Sequence, residues 1–207
     1  MAASARFWDR IAQKYARSPI KDEAAYQQKL AKTREHLTPE SEVYEYGCGT
    51  GSTAIALAPF AKHILATDIS ANMLRIAQEK ADATGIGNVT FRQETIDRST
   101  ADDGHYDMVM AHSILHLLED RHAAIARSWR MLKPGGVFVS STACLADGYG
   151  WLRYAGPIGR WVGLIPYVAI FSRQDLIDSI TAAGFRIDHE WQPGPKKAVF
   201  IVAVKEG

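Results

Sequence analysis

The stretch EYGCGTGS, Glu45 to Ser52, sets a glycine at every second position, Gly47, Gly49 and Gly51, between a short apolar run and a run with helical spacing. Glycine tolerates positive φ and carries no Cβ. A ligand can therefore lie against the backbone there while the first free amides of the following helix point at its anionic part. Upstream, Val43 to Tyr46 reads as a strand; downstream, Ser52 to Phe60 reads as a helix. The next strand, His63 to Thr67, runs into Asp68, where a carboxylate can accept hydrogen bonds from both hydroxyls of a ribose. Either feature alone would serve a tight turn or a helix cap. Together they predict a nucleoside site.

The alternation of strand and helix continues outward. Ala71 to Thr84 and Arg121 to Met131 read as helices, and Val89 to Gln93, Tyr106 to Ala111 and Val137 to Ser141 as strands, each bounded by Gly, Pro, Asn or Asp. That pattern means a parallel sheet with crossover helices. Before it, Phe7, Trp8, Ile11, Ala12 and Tyr15 fall at helical spacing, and a second helical stretch runs from Asp22 to Leu37, giving a helical cap over about 1–38. After it, a Gly-, Pro- and Trp-rich apolar insert covers about 147–171. A capping box, Ser172 with Asp175, then opens a helix that stops at Gly184. The strands Phe185 to Trp191 and Ala198 to Val204 follow, joined through Pro193, Gly194 and Pro195. So short a link holds no crossover helix, which makes the last pair antiparallel.

At 207 residues the chain is expected to form one domain over 1–207, and 47% hydrophobic with 23% charged residues excludes a disordered or disulfide-framework protein. The 24 Lys plus Arg against 23 Asp plus Glu leave +1, so no global field attracts nucleic acid, and a small-molecule partner is the default. Cys48 and Cys144 lack zinc or redox spacing and read as free thiols of a reducing compartment. The first residues lack an unbroken apolar stretch, so the expected address is the cytoplasm. Arg153 and Arg160, with Pro157 and Pro166, oppose a membrane span through the insert. A homodimer is compatible with its apolar character.

Three details, one of them the terminal antiparallel hairpin, turn the nucleoside site from a dinucleotide toward S-adenosyl-L-methionine. The spacing is G-x-G-x-G, and Glu45 precedes the first glycine, where it suits an ammonium group. With FWDRIAQKY (Phe7 to Tyr15), TDIS (Thr67 to Ser70), YDMVMAHSILHLL (Tyr106 to Leu118), MLKPGGVF (Met131 to Phe138) and the closing AGF plus hairpin, the chain resembles class I S-adenosylmethionine-dependent methyltransferases. The similarity is to their small-molecule branch, which includes the quinone-biosynthesis C-methyltransferases. It implies an α/β, Rossmann-like, seven-stranded and mostly parallel sheet in the order 3-2-1-4-5-7-6, strand 7 antiparallel, with helices on both faces. It also implies cofactor contacts at Glu45, Gly47, Gly49 and Gly51 for the methionine end, Asp68 for the ribose, and Ile69 and Met73 for the adenine. Glu94 stands where the family usually has an Asp facing the adenine amino group, with Thr95 and Ile96 alongside. Ala111 and His112 match the backbone beside the sulfonium. Tyr15 matches a tyrosine that folds over the methionine carboxylate.

Methyl transfer is an in-line displacement that mainly needs alignment and dryness. A general base matters only for a weakly acidic acceptor, and His112, then His116, are the expected candidates. A surface histidine at a strand end and a core histidine are the plainer readings. Their H-x-x-x-H spacing lacks a further ligand cluster, so no metal is expected. The text after strand four is AHSI, not the N/D-P-P-Y/F of amino-directed nucleic-acid methyltransferases. The insert reads as a lid over an apolar or aromatic acceptor, with Trp151, Arg153 and Trp161 as candidate acceptor contacts; a dimer or membrane-surface contact and plain packing over the sheet are the alternatives. A catalytically silent cofactor-binding scaffold and a nicotinamide-dependent oxidoreductase are the alternatives.

Overall fold

The computed structural model describes residues 2–149 and 167–207. Helices α1 (Ala2–Arg17) and α2 (Glu23–Arg34) precede β1 (Glu42–Tyr46), α3 (Ser52–Leu57), β2 (His63–Asp68), α4 (Ala71–Thr84) and β3 (Val89–Gln93). Then come β4 (Tyr106–His112), α5 (Arg121–Met131), β5 (Leu132–Thr142), the single turn α6 (Ala146–Tyr149), α7 (Arg173–Ala182), β6 (Phe185–Trp191) and β7 (Val199–Lys205). Pro59 turns the expected end of α3 into a 3₁₀ segment, Ala58–Phe60. The expected fifth strand begins earlier, at Leu132, which pairs with Tyr106 before an irregularity at Lys133 to Gly136, with Gly135 at φ 77°, shifts the register to Met108 opposite Val137.

The seven strands form one sheet in the order β3-β2-β1-β4-β5-β7-β6. The neighbours from β3 to β5 run parallel, and β7 runs antiparallel to both β5 and β6. The expected topology is the observed one. Side-chain alternation builds a core on each face: Tyr44, Tyr46, Val109, Ala111, Phe138 and Ile201 pack on one side with Leu176 and Ile180 of α7. Val43, Ile64, Met108, Met110, Val139 and Phe200 pack on the other, against Leu57. Helices on both faces explain why the central strands read as nearly unbroken apolar runs.

Local capping fixes the helix starts. Ser70 Oγ accepts from Met73 N at 3.1 Å and Asp120 Oδ1 from Ala123 N at 2.9 Å, while Ser172 and Asp175 make the reciprocal capping box. One contact spans a long stretch of chain: Asp9 of α1 accepts from Ser70 Oγ at 2.6 Å and Asn72 N at 3.0 Å, docking α1 on the start of α4. A carboxylate there also meets the positive end of the helix dipole.

The strand order reverses between β1 and β4. A crevice opens outside the carboxyl ends of the strands at such a point, and it is there that the glycine turn, Asp68 and His112 converge.

Candidate functional site

A cavity of about 800 Å³ lies at that crevice, lined among others by Tyr15, Glu45, Gly47, Gly49, Asp68, Ile69, Met73 and His112. Its floor is the glycine turn. Gly47 and Gly49 adopt φ of +67° and +55°, left-handed backbone that disfavours side chains. A Cβ on Gly47 would stand 2.5 Å from Ile114 Cγ1, whereas one on Gly49 would meet only Tyr15, at 3.9 Å, and project into the cavity. Gly51 does a different job: its Cβ would strike Ala77 at 2.8 Å and Phe91 at 3.0 Å, so it lets α3 pack on α4 and β3 and does not line the cavity.

Asp68 holds the turn in place. Its two carboxylate oxygens accept from Gly49 N and Ser70 N, each at 2.9 Å, and the residue is 8% exposed. Each oxygen keeps a second lone pair for a ligand donor. Burial raises the Asp68 pKa against the opposing pull of the Ser70 and Gly49 amides. Glu45, 1% exposed, lies behind the turn with Oε2 buried and unpartnered. Burial, reinforced by the Asp68 charge, pushes its pKa up to about 8. Tyr15, 49% exposed, stands at the mouth, its ring edge-on to Trp8 with centroids 6.3 Å apart.

The adenine-side residues fall differently. Met73 and Ile69 line the cavity; Glu94, Thr95 and Ile96 do not. The Glu94 carboxylate is engaged by its own surroundings, taking hydrogen bonds from Tyr44 Oη at 3.1 Å and from Thr100 N and Oγ1 at 3.3 and 3.2 Å. Burial would raise its pKa, but the hydrogen bonds from Ser99, Thr100 and Tyr44 outweigh this and lower it. Ile96 is a core residue packed with Tyr44 and Leu65, and Ala111 is fully buried within β4.

His112 ends β4 in the cavity wall, with Nε2 buried and unpartnered. Ser113 at φ 56° breaks the strand, and a 3₁₀ turn, Leu115–Leu117, follows. The two histidines therefore share no helical face, and His116 lies outside the cavity lining. No cluster of three or more metal-ligating side chains occurs among the described residues. Burial pushes both imidazoles down to about 4, helped at His112 by the Lys29 charge. A base that weak suits a neutral hydrogen-bonding role better than proton abstraction near pH 7.

These values fix a pH dependence. Each histidine binds fewer protons folded than unfolded between its folded pKa of about 4 and the unfolded 6.5, so its contribution to stability is present above 6.5 and is lost as pH falls through that window. Glu45 acts oppositely, its raised pKa costing stability as pH rises from 4.5 to about 8. The thermal midpoint of the free protein should peak near pH 6 to 7, and replacing both histidines with Asn should flatten the acid side. An acid limb equally steep in that variant would contradict the assignment.

Nothing in the sequence singles out Tyr26, Lys29 and Ser141, which line the cavity, or Asp9, which docks α1 on the start of α4. Each reaches its place through tertiary packing, and no local signal marks it. Trp151, Arg153 and Trp161 lie outside the described residues.

Comparison with known proteins bears on the same segment. Residues 43–136 match a family model described as a methyltransferase domain. The chain is 29% identical over 110 residues to the uncharacterized methyltransferase YcgJ of Bacillus subtilis, covering 53% of this chain and 43% of the relative. It is 28% identical over 141 residues to the tRNA 5-carboxymethoxyuridine methyltransferase of Escherichia coli K12, covering 64% and 54%. The chain thus spans about half the length of these curated relatives. Its fold superposes on geranyl diphosphate C-methyltransferase from Streptomyces coelicolor, crystallised with S-adenosyl-L-homocysteine, with a TM-score of 0.74 at 16% identity over 88% of this chain and 79% of that one. The fold is that of the class I methyltransferases. The cofactor it implies, S-adenosylmethionine, fits the residues present: an orphaned buried carboxyl oxygen on Glu45 awaits a donor, and a Cβ-free cradle at Gly49 faces open space.

Proposed function

We propose that this chain is an S-adenosylmethionine-dependent methyltransferase acting on a small acceptor with an apolar or aromatic body, within the small-molecule branch to which the quinone-biosynthesis enzymes belong. The observation that carries the reading is the pair of buried carboxyls on adjacent strand ends, Glu45 and Asp68, flanking a left-handed glycine turn. A dinucleotide site has no use for the first of them, since a pyrophosphate brings no cation to Glu45, whereas the methionine end of S-adenosylmethionine brings an ammonium.

When bound, the cofactor supplies an electrophilic methyl on a sulfonium. The chain's residues do the rest by holding and drying. Asp68 receives the ribose hydroxyls while keeping Gly49 and Ser70 in place. Glu45 receives the ammonium of the methionine end. Tyr15 covers the mouth, and the apolar walls at Ile114, Leu117 and Met73 exclude water that would compete with the acceptor. No basic stripe accompanies the net charge of +1, which favours a small acceptor over a nucleic acid.

Glu45 gives this reading a sharp test. At pH 7 its carboxyl is mostly protonated, with a pKa near about 8. A cation placed beside it favours the ionised form. Binding of S-adenosylhomocysteine, which keeps the ammonium group, should therefore release close to one proton per ligand at pH 7, read by calorimetry in buffers of different ionisation enthalpy. Glu45→Gln should release none. Proton release unaltered by that substitution would show that Glu45 does not face the ammonium.

A further inference from the structure

Besides the two carboxyls, the cavity is lined by three polar side chains to which the proposed cofactor contacts assign no role, Lys29, Ser141 and His112. Lys29 turns inward from α2, and its Nζ donates to Ser141 Oγ at 2.8 Å. Among the described residues it has no carboxylate within ion-pair distance, and burial lowers its pKa, opposed by Asp22. Asp22 is itself paired with Lys197 at 3.2 Å. Ser141 is the register partner of His112, and Ser113 N donates to Ser141 O at 2.7 Å, so the ends of β4 and β5 hold the three side chains together. The corner is thus an ammonium, a hydroxyl and a neutral imidazole with an unpartnered Nε2. Its flanks, Leu30, Ile114 and Leu117, are apolar.

A partly desolvated ammonium with one hydroxyl partner uses one of its three donors and keeps an uncompensated charge. We infer that the methyl acceptor is a carboxylic acid with an apolar body, its carboxylate held by Lys29 Nζ and Ser141 Oγ beside His112. One cation and one hydroxyl match a monoanion, which argues for a carboxylate over a phosphate. Among the described residues Lys29 forms no ion pair with Glu45 or Asp68: its Nζ donates to Ser141 Oγ, and the Asp68 carboxylate accepts from Gly49 N and Ser70 N. The role as acceptor site rests on the methyltransferase reading above.

The test titrates 4-phenylbutyrate, 4-phenylbutanamide and 4-phenylbutyl phosphate into the protein by calorimetry, with and without saturating S-adenosylhomocysteine. The acid should bind at least about tenfold more tightly than the amide, and the phosphate no more tightly than the acid. Lys29→Met should erase the preference for the acid and leave S-adenosylhomocysteine affinity unchanged in a protein that still unfolds cooperatively; Lys29→Arg should retain the preference. Equal binding of acid and amide, no binding of the acid, or tighter binding of the phosphate overturns the assignment. So does a tenfold loss of S-adenosylhomocysteine affinity in Lys29→Met, because Lys29 would then hold the cofactor's own carboxylate. Failure of S-adenosylhomocysteine to bind, with the acid preference intact, overturns the cofactor reading and the acceptor role with it. Cofactor binding without acid preference overturns the carboxylate assignment alone.

Discussion

Asp68→Ala is expected to weaken S-adenosylhomocysteine binding by about 10- to 150-fold, the worth of a charge-assisted contact of roughly 1.5 to 3 kcal/mol. The same substitution should lower the stability of the free protein, because Gly49 N and Ser70 N both lose their acceptor. Two such bonds to a carboxylate, with water replacing part of the loss, come to about 1 to 3 kcal/mol, or a midpoint lowered by about 2 to 12 °C for a chain of this size. Asp68→Asn separates the two roles, since it keeps one carbonyl acceptor for the turn but removes the charge. Calorimetric affinity and thermal unfolding measured on both variants check this. Unchanged affinity in a folded Asp68→Ala protein would remove Asp68 from the ribose.

The second large effect belongs to Gly47→Ala. A left-handed backbone costs a residue with a Cβ about 1 to 2 kcal/mol, and Gly47 has φ of +67°. The new methyl would also stand 2.5 Å from Ile114 Cγ1, a clash that a packed wall relieves only by shifting, at about 1 to 3 kcal/mol. The sum is roughly 2 to 5 kcal/mol, and S-adenosylhomocysteine binding should fall with it because the turn forms the cavity floor. Adding Ile114→Ala removes the obstacle but not the backbone strain, so the double variant should recover part of the stability and not all of it. A double variant no more stable than Gly47→Ala alone would show that Ile114 is not the obstacle, as would a single variant with an unaltered midpoint.

The legible half of the site and the illegible half differ in how far apart their residues lie along the chain. The turn at Gly47 to Gly51 is one short stretch, the acid at Asp68 follows one helix and one strand later, and each sits where a strand must end. Pattern alone therefore places them. The capping box at Ser172 and Asp175 was legible for the same reason. Lys29 and Ser141 come from α2 and β5, and nothing local in either segment predicts that they meet. Asp9 reaches the start of α4 from α1 in the same way. Glu94 shows the reverse failure: its position after β3 suggested a ligand, but hydrogen bonds from Tyr44 and Thr100 engage the carboxylate within the protein. Gly51 belongs to the motif by spacing and to the packing of α3 by geometry. A parallel sheet with an antiparallel final pair was legible because the strand-helix rhythm is local and the final link is short, whereas the order of the strands was implied by the family resemblance and by no local pattern.

The acidic end of the cavity should bind S-adenosylmethionine and not a nicotinamide dinucleotide. Thermal unfolding of the protein alone, with S-adenosylhomocysteine and with NADH tests it most directly. At about 100 times its Kd a ligand adds roughly 2.7 kcal/mol, which should raise the midpoint by about 5 to 11 °C. The midpoint should rise with S-adenosylhomocysteine and stay where it is with NADH; a rise with NADH alone, or with neither, would remove S-adenosylmethionine from the cavity.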